Sequence, residues 1–267
     1  MVYGIILIYY ENYADKSIHE FYDLLKKIEP DSKLIVINNS SNKFSNNFDV
    51  VIGNNKNWEF SGWDVGLSTI EDINSSDIFI FCNDTFCHHN PWNENIKRKF
   101  IRTFSNVIKE NNRHAFIGIA GTTDSVWKEF SIEDKTFSHW ISSYLFLMTG
   151  SLLEKMGGSI CIDENTLDNY VKLDRLNHLR WNECISSDLQ LHLTGWMYGN
   201  GNGWYNKDNI SPEKKIRKIK TILNEKYLTA VCNYNDGRVI EVKFIKRLKF
   251  FFWSLIFFSR KRKYHVQ

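Results

Sequence analysis

An apolar run, Ile78–Cys82, ends abruptly in Asn83-Asp84-Thr85, and a glycine-bearing segment, WEFSGWDVGL at 58–67, stands just before it. An acidic group at the carboxyl end of a buried strand, after a helix that glycines let pack closely, is where open α/β sheets place ligand chemistry. That order predicts an α/β fold and makes Asp84 the first residue to ask about.

The rest of the chain fits the same pattern. Gly4–Tyr10 is an Ile-rich run that predicts a first buried strand. Ile18, Phe21, Leu24, Leu25 and Ile28 have helical spacing over Asp15–Ile28, and Pro30 closes that helix. Lys33–Ile37 and Val50–Ile52 predict strands. A helix follows from a cap at Ser61 to about Ile73, then a strand over Asp77–Cys82. Asn93–Glu110 predicts a helix and His114–Ile119 a strand. Strands alternating with helices imply a mainly parallel sheet covered on both faces. Later, His139–Thr149 predicts a strand, Ser151–Met156 a helix and Glu183–Leu193 another. Residues 163–182 read as irregular, and Ser211 caps a helix with Pro212 at its first position.

The net charge of +3 hides an asymmetry. Residues 1–211 hold 19 Lys and Arg against 27 Asp and Glu, whereas residues 212–267 hold 15 against 4. This predicts a main domain over 1–210 and a basic helical extension over 211–267, with an anionic surface as partner. Five cysteines without a CxxC pair fit a reducing, cytoplasmic setting better than a disulfide framework. No basic stretch with an apolar core and cleavage site opens the chain. Walker and GxSxG motifs are absent, which removes the P-loop and α/β-hydrolase classes. A nucleotidyltransferase would need a Gly-rich loop after the first strand, and Tyr9-Tyr10-Glu11-Asn12 is not one.

Asp84 at a strand end suits a hard divalent cation, which one or two carboxylates hold beside phosphate oxygens. Asn83 adds a neutral oxygen. The plain alternative is an Asx-turn that ends the strand. Asn38-Asn39-Ser40-Ser41 closes the second strand with short polar groups that reach a base or ribose, or that merely turn the chain. Gly62 and Gly66 each cost a helix about 1 kcal/mol relative to alanine, so a packing or binding reason is expected. Asp64 between them suits a ribose hydroxyl or base edge. Cys87-His88-His89 lacks a second Cys/His pair at zinc-ligand spacing.

Taken together, these motifs resemble a GT-A-fold glycosyltransferase of the family 2 type, closest to the rhamnan-synthesis F group. The resemblance rests on GWDVG at 62–66, NDT at 83–85, IGIAGTT at 117–123 and HWISSYLF at 139–146, and covers roughly residues 1–200. It implies a GT-A-like sheet and transfer of a sugar from a nucleoside-diphosphate donor to a lipid-linked surface glycan of the O-antigen, capsule or rhamnan type. Asn38, Asn39, Asp64 and Asn83 would hold the donor, and Asp84 would hold Mg²⁺ or Mn²⁺. The family's catalytic helix places a Gly twelve residues after a Glu, as Glu183 and Gly195 are placed here. Glu183 would then be the acceptor's base, with Asp188 the second choice and the anomeric centre inverted. Cys184 departs from the Asp that many members carry. Asp163 and Glu164 after Gly157-Gly158 match the stretch before that helix.

The loop Trp196–Tyr205 offers a lid for the acceptor, or a plain surface loop. The tail, Phe244–Tyr264, holds an apolar-plus-Ser block, Phe250–Phe258, flanked by Lys and Arg. Nine residues are too few to span a bilayer, which takes about 20. The block suits a helix lying in the headgroups of the plasma membrane's inner face, drawn by anionic lipid. Lys214, Lys215, Arg217, Lys218 and Lys220 would add to that attraction. Nucleic acid is not expected as a partner, since phosphate contacts call for no apolar block. The rival expectation is a non-catalytic glycan- or lipid-binding protein on the same fold.

Overall fold

The computed structural model describes residues 1–40, 48–199 and 210–243. Residues 200–205 of the expected lid and the whole of the tail from Phe244 lie outside the described residues.

Seven strands form one sheet in the order β3-β2-β1-β4-β6-β5-β9. Strands β1 (Val2–Ile8), β2 (Lys33–Asn38), β3 (Val50–Ile52) and β4 (Ile78–Asn83) are mutually parallel. The long strand β6 (Lys135–Thr149) runs antiparallel to β4 and to β5 (Gly118–Ile132), and β9 (Arg238–Glu241) closes the edge parallel to β5. The fold is α/β with a mostly parallel sheet, as the alternation predicts. All seven residues of β1 are buried, as a strand covered on both faces requires.

Helices α1 (Glu11–Ile28) and α3 (Glu94–Asn111) cover one face of the sheet. Their Phe21, Leu24, Phe100 and Phe104 pack into a core with Ile6, Ile80 and Leu147. Helices α2 (Trp58–Leu67), α4 (Gly150–Lys155) and the second half of α7 (Pro212–Tyr234) cover the other. Leu228 and Val231 of α7 belong to the core beneath the sheet, and β9 is one of its strands. No helix among the described residues is long and apolar enough to cross a membrane.

Three local expectations are corrected. Helix α2 starts at Trp58, not Ser61. The Ser61 hydroxyl accepts from the Asn57 N–H at 2.8 Å, one turn inside the helix. Residues 163–182 are ordered as α5 (Glu164–Tyr170), capped by Asp163, and a short hairpin of β7 (Val171–Leu173) and β8 (Leu179–Trp181). Helix α6 (Ser187–Tyr198) begins four residues after Glu183. Cys184 and Ser186 are spent pairing with Glu133 and Ser131 of the β5–β6 hairpin, so the chain cannot yet be helical there.

The two glycines of α2 have a packing reason. A Cβ on Gly62 would lie 2.2 Å from Leu7 Cδ1, and one on Gly66 2.8 Å from Ile5 Cγ2 and 2.9 Å from Ile37 Cδ1. They let α2 sit directly on β1 and β2. Gly62→Ala is expected to cost about 1–3 kcal/mol by overpacking, less the roughly 1 kcal/mol of helix propensity gained. A urea titration checks it, and unchanged stability would mean that Leu7 yields freely.

Candidate functional site

A cleft of about 870 Å³ opens at the carboxyl ends of β2, β1 and β4. The strand order reverses between β1 and β4, the position where open sheets leave a crevice. Four elements build its walls: the turn after β1 with Tyr9 and Tyr10, the strand end Asn83-Asp84-Thr85, and the amino-terminal parts of α2 and of α7.

Asp84 is 1% exposed and forms the floor. Its amide donates to Leu7 O at 2.9 Å, and its own carbonyl accepts from Ser17 Oγ at 2.7 Å, so its backbone is fixed. Its Oδ2 accepts from the N–H groups of Tyr9 and Tyr10 at 2.7 and 2.6 Å. Among the described residues, Oδ1 takes no hydrogen bond. Burial raises its pKa from 3.8 to about 6, against the two backbone N–H groups and His89, which pull it down. A carboxylate that is desolvated, rigid and half-satisfied is well suited to a cation. Asn83 does form an Asx-turn, its Oδ1 accepting from Thr85 N and Oγ1, while still lining the cleft.

Asn39 is buried and acts as a brace. Its Oδ1 accepts from Asn55 N at 3.0 Å, and its Nδ2 donates to Trp58 O at 2.9 Å. The segment it holds is strained: Asn55 and Trp58 have φ of 47° and 49°. The left-handed region is tolerable for Asn but unfavourable for a bulky Trp, and such strain gathers at ligand sites. Asn38 is buried too, its Oδ1 accepting from Ser40 N, and it is not among the cleft's lining residues.

The structure does not bring the other expected residues to this cleft. Asp64 faces a separate hollow of about 460 Å³, where it ties down the 159–161 loop. Its oxygens accept from Ser159 Oγ, Ile160 N and Cys161 N at 2.6, 2.8 and 3.2 Å. Burial raises its pKa despite those bonds. Glu183 is exposed, in the turn before α6, and lines neither cavity. Asp188, in the first turn of α6, pairs with Lys128 of the hairpin. The β5–β6 hairpin that anchors both runs ten residues past Leu145, where β6 leaves β4.

Two groups in the cleft carry no local sequence signal. Glu59, in the first turn of α2, is a half-buried carboxylate whose pKa is raised by burial, with Lys218 and Arg217 opposing that rise. Lys214, Arg217 and Lys218 of α7 form another part of the wall. Their spacing after a Ser-Pro helix start shows that they share a face, but not what the face meets. Arg217 lies 5.5 Å over the Trp58 ring and donates to the carbonyl of Asn55.

Among the described residues, no cluster of three or more His, Cys, Asp and Glu side chains cages a metal ion. Cys87 is buried against Ser17, and His88 stacks on Tyr13 at 4.0 Å. The donor set fits a cation held by one or two carboxylates and completed by a ligand's phosphate oxygens, the usual manner of Mg²⁺.

No protein-family profile matches the chain, and no curated protein does. Among solved structures, the chain has a likeness to the 2-C-methyl-D-erythritol 4-phosphate cytidylyltransferase of Francisella tularensis. The identity is 16% and the TM-score 0.34, over 58% of this chain and 75% of that one. So loose a superposition carries nothing about ligands.

Proposed function

We propose that this chain is a glycosyltransferase that binds a nucleoside-diphosphate sugar in the cleft at the ends of β2, β1 and β4. One observation carries the reading: Asp84 is buried, fixed by the Tyr9 and Tyr10 amides, and left with one oxygen on the cleft. Asp84 would hold Mg²⁺ or Mn²⁺, with Glu59 the second carboxylate in the same cleft. The ion would neutralise the charge that gathers on the diphosphate as the glycosidic bond breaks. Asn39 would support the nucleoside end through the braced Asn55–Trp58 segment, and Asn83 would add its side chain beside Asp84. In transfer, an acceptor hydroxyl attacks the anomeric carbon and its proton passes to water in the cleft. The bond to the diphosphate breaks with its electron pair, and inversion follows from a single displacement. A lipid-linked glycan as acceptor, and a tail resting on anionic lipid at the inner face of the plasma membrane, belong to the same reading.

A second reading, a binding protein without turnover, is favoured by one feature. Glu183 and Asp188, the carboxylates expected on the acceptor side, do not line the cleft. Incubation with a panel of nucleotide sugars and Mn²⁺ separates the two. The enzyme slowly releases nucleoside diphosphate from at least one donor, even with water as acceptor. Donor binding seen as a raised melting temperature, with no release across the panel, would leave the binding protein standing.

A further inference from the structure

We propose that the amino-terminal face of α7 is an anion-binding wall that grips the diphosphate directly, with no divalent cation between them. The inference rests on the reading that the cleft receives a nucleoside diphosphate, and goes beyond it. Helix α7 lies outside the roughly 200 residues that carry the family resemblance, so the resemblance does not assign this wall.

Lys214, Arg217 and Lys218 stand at i, i+3 and i+4, which places them on one helix face. All three line the cleft together with Asp84 and Glu59. Of the neighbouring cations, Lys220 pairs with Asp168 and Lys215 is buried over the Tyr198 ring, while Glu213 of the same helix also lines the cleft. The basic run therefore does not act as one surface-facing block.

Arg217 is set in place before any ligand arrives. Its guanidinium lies against Trp58, and its Nη2 donates to Asn55. Its Nε is buried and has no hydrogen-bond partner among the described residues. A guanidinium offers five donors in a planar fork that matches phosphate oxygens, so an incoming phosphate supplies the acceptor that the described residues do not. The latch also ties the wall to the strained Asn55–Trp58 segment, which Asn39 holds from the other side. The cleft's carboxylates, Asp84, Glu59 and Glu213, equal the three cations in number, so the preset Arg217 fork and the shared helix face, not an excess of charge, favour a compact phosphate anion.

Titration calorimetry of the full chain with inorganic pyrophosphate, in the presence of EDTA, tests this. The wild type is expected to bind. Lys214→Gln/Lys218→Gln is expected to bind about ten-fold more weakly or worse, since charge-assisted contacts are lost. Arg217→Lys keeps the charge, loses the fork, and is expected to weaken binding as well. Lys220→Gln removes one charge from the same helix off the cleft, and is expected to stay within about two-fold. Thermal melts confirm that each variant folds. Absence of pyrophosphate binding without divalent ions, or equal binding by the double variant and wild type, overturns the inference. Pyrophosphate binding without donor turnover sinks the transferase reading and leaves the wall standing. Donor turnover with an unaffected double variant does the reverse.

Discussion

Asp84→Asn is expected to lower Mn²⁺-dependent release of nucleoside diphosphate by about a thousand-fold, the scale of losing a main electrostatic stabiliser of developing charge. The same substitution is expected to leave the fold at least as stable at neutral pH. An Asn oxygen can still accept from the Tyr9 and Tyr10 amides that now meet Oδ2. The sign of the pH dependence follows from the raised pKa. Between about pH 4 and pH 6 the folded carboxyl keeps a proton that the unfolded one has released. The native Asp84 carboxyl binds more proton there, so its contribution to stability falls as pH rises through that window and levels off above it. The loss is at most about 3 kcal/mol. Asp84→Asn removes this slope, which urea titrations at pH 4, 5, 6 and 7 measure. A variant that lost stability at pH 7 as well as activity would show Asp84 to be a structural group.

The second large effect is at Trp63. It is fully buried, and its Nε1 donates to Cys82 O at 3.0 Å, two residues before Asp84. Its ring meets Phe60, Phe81 and Phe146 at centroid distances of 5.2, 5.8 and 5.6 Å. Trp63→Ala is expected to cost about 3–5 kcal/mol for the cavity alone. Losing the indole hydrogen bond to the Cys82 carbonyl, which the β1–β4 ladder still engages, adds about 0.5–1.5 kcal/mol. Against a typical total of about 5–15 kcal/mol, this removes much of the stability. The melting temperature should drop by about 10 °C or more, at roughly 2–4 °C per kcal/mol. Trp63→Phe keeps much of the ring packing and isolates the hydrogen bond. A shift of under about 2 °C for Trp63→Ala would mean that α2 is not joined to β4 through this ring.

The parallel half of the sheet was legible because its signals are local. Each of β1, β2 and β4 is a short apolar run ended by polar residues, and α1 and α3 carry their apolar residues at helical spacing. The start of α7 was equally plain, with the Ser211 hydroxyl accepting from Lys214 N and Pro212 at the first position. What the sequence concealed depends on distant partners. Strand β5 runs on to Ile132 through exposed polar residues because β6 pairs with it. Glu183 keeps the spacing of a helix start, yet hairpin pairing at Cys184 and Ser186 delays the helix to Ser187. The place of Asp84 at the cleft was legible because chain reversal at a strand end leaves a mark in the sequence. Glu59 and the Lys214–Arg217–Lys218 wall were not, because a charged helix face looks the same whether it meets water, lipid or a cleft.

The central claim is that Asp84 holds a divalent cation on a diphosphate. Electron paramagnetic resonance of Mn²⁺ in the presence of nucleoside diphosphate tests it most directly by counting bound ions. The wild type is predicted to retain one Mn²⁺ that Asp84→Asn releases, with both proteins folded. Equal Mn²⁺ retention by the two proteins, or none by the wild type, would contradict it.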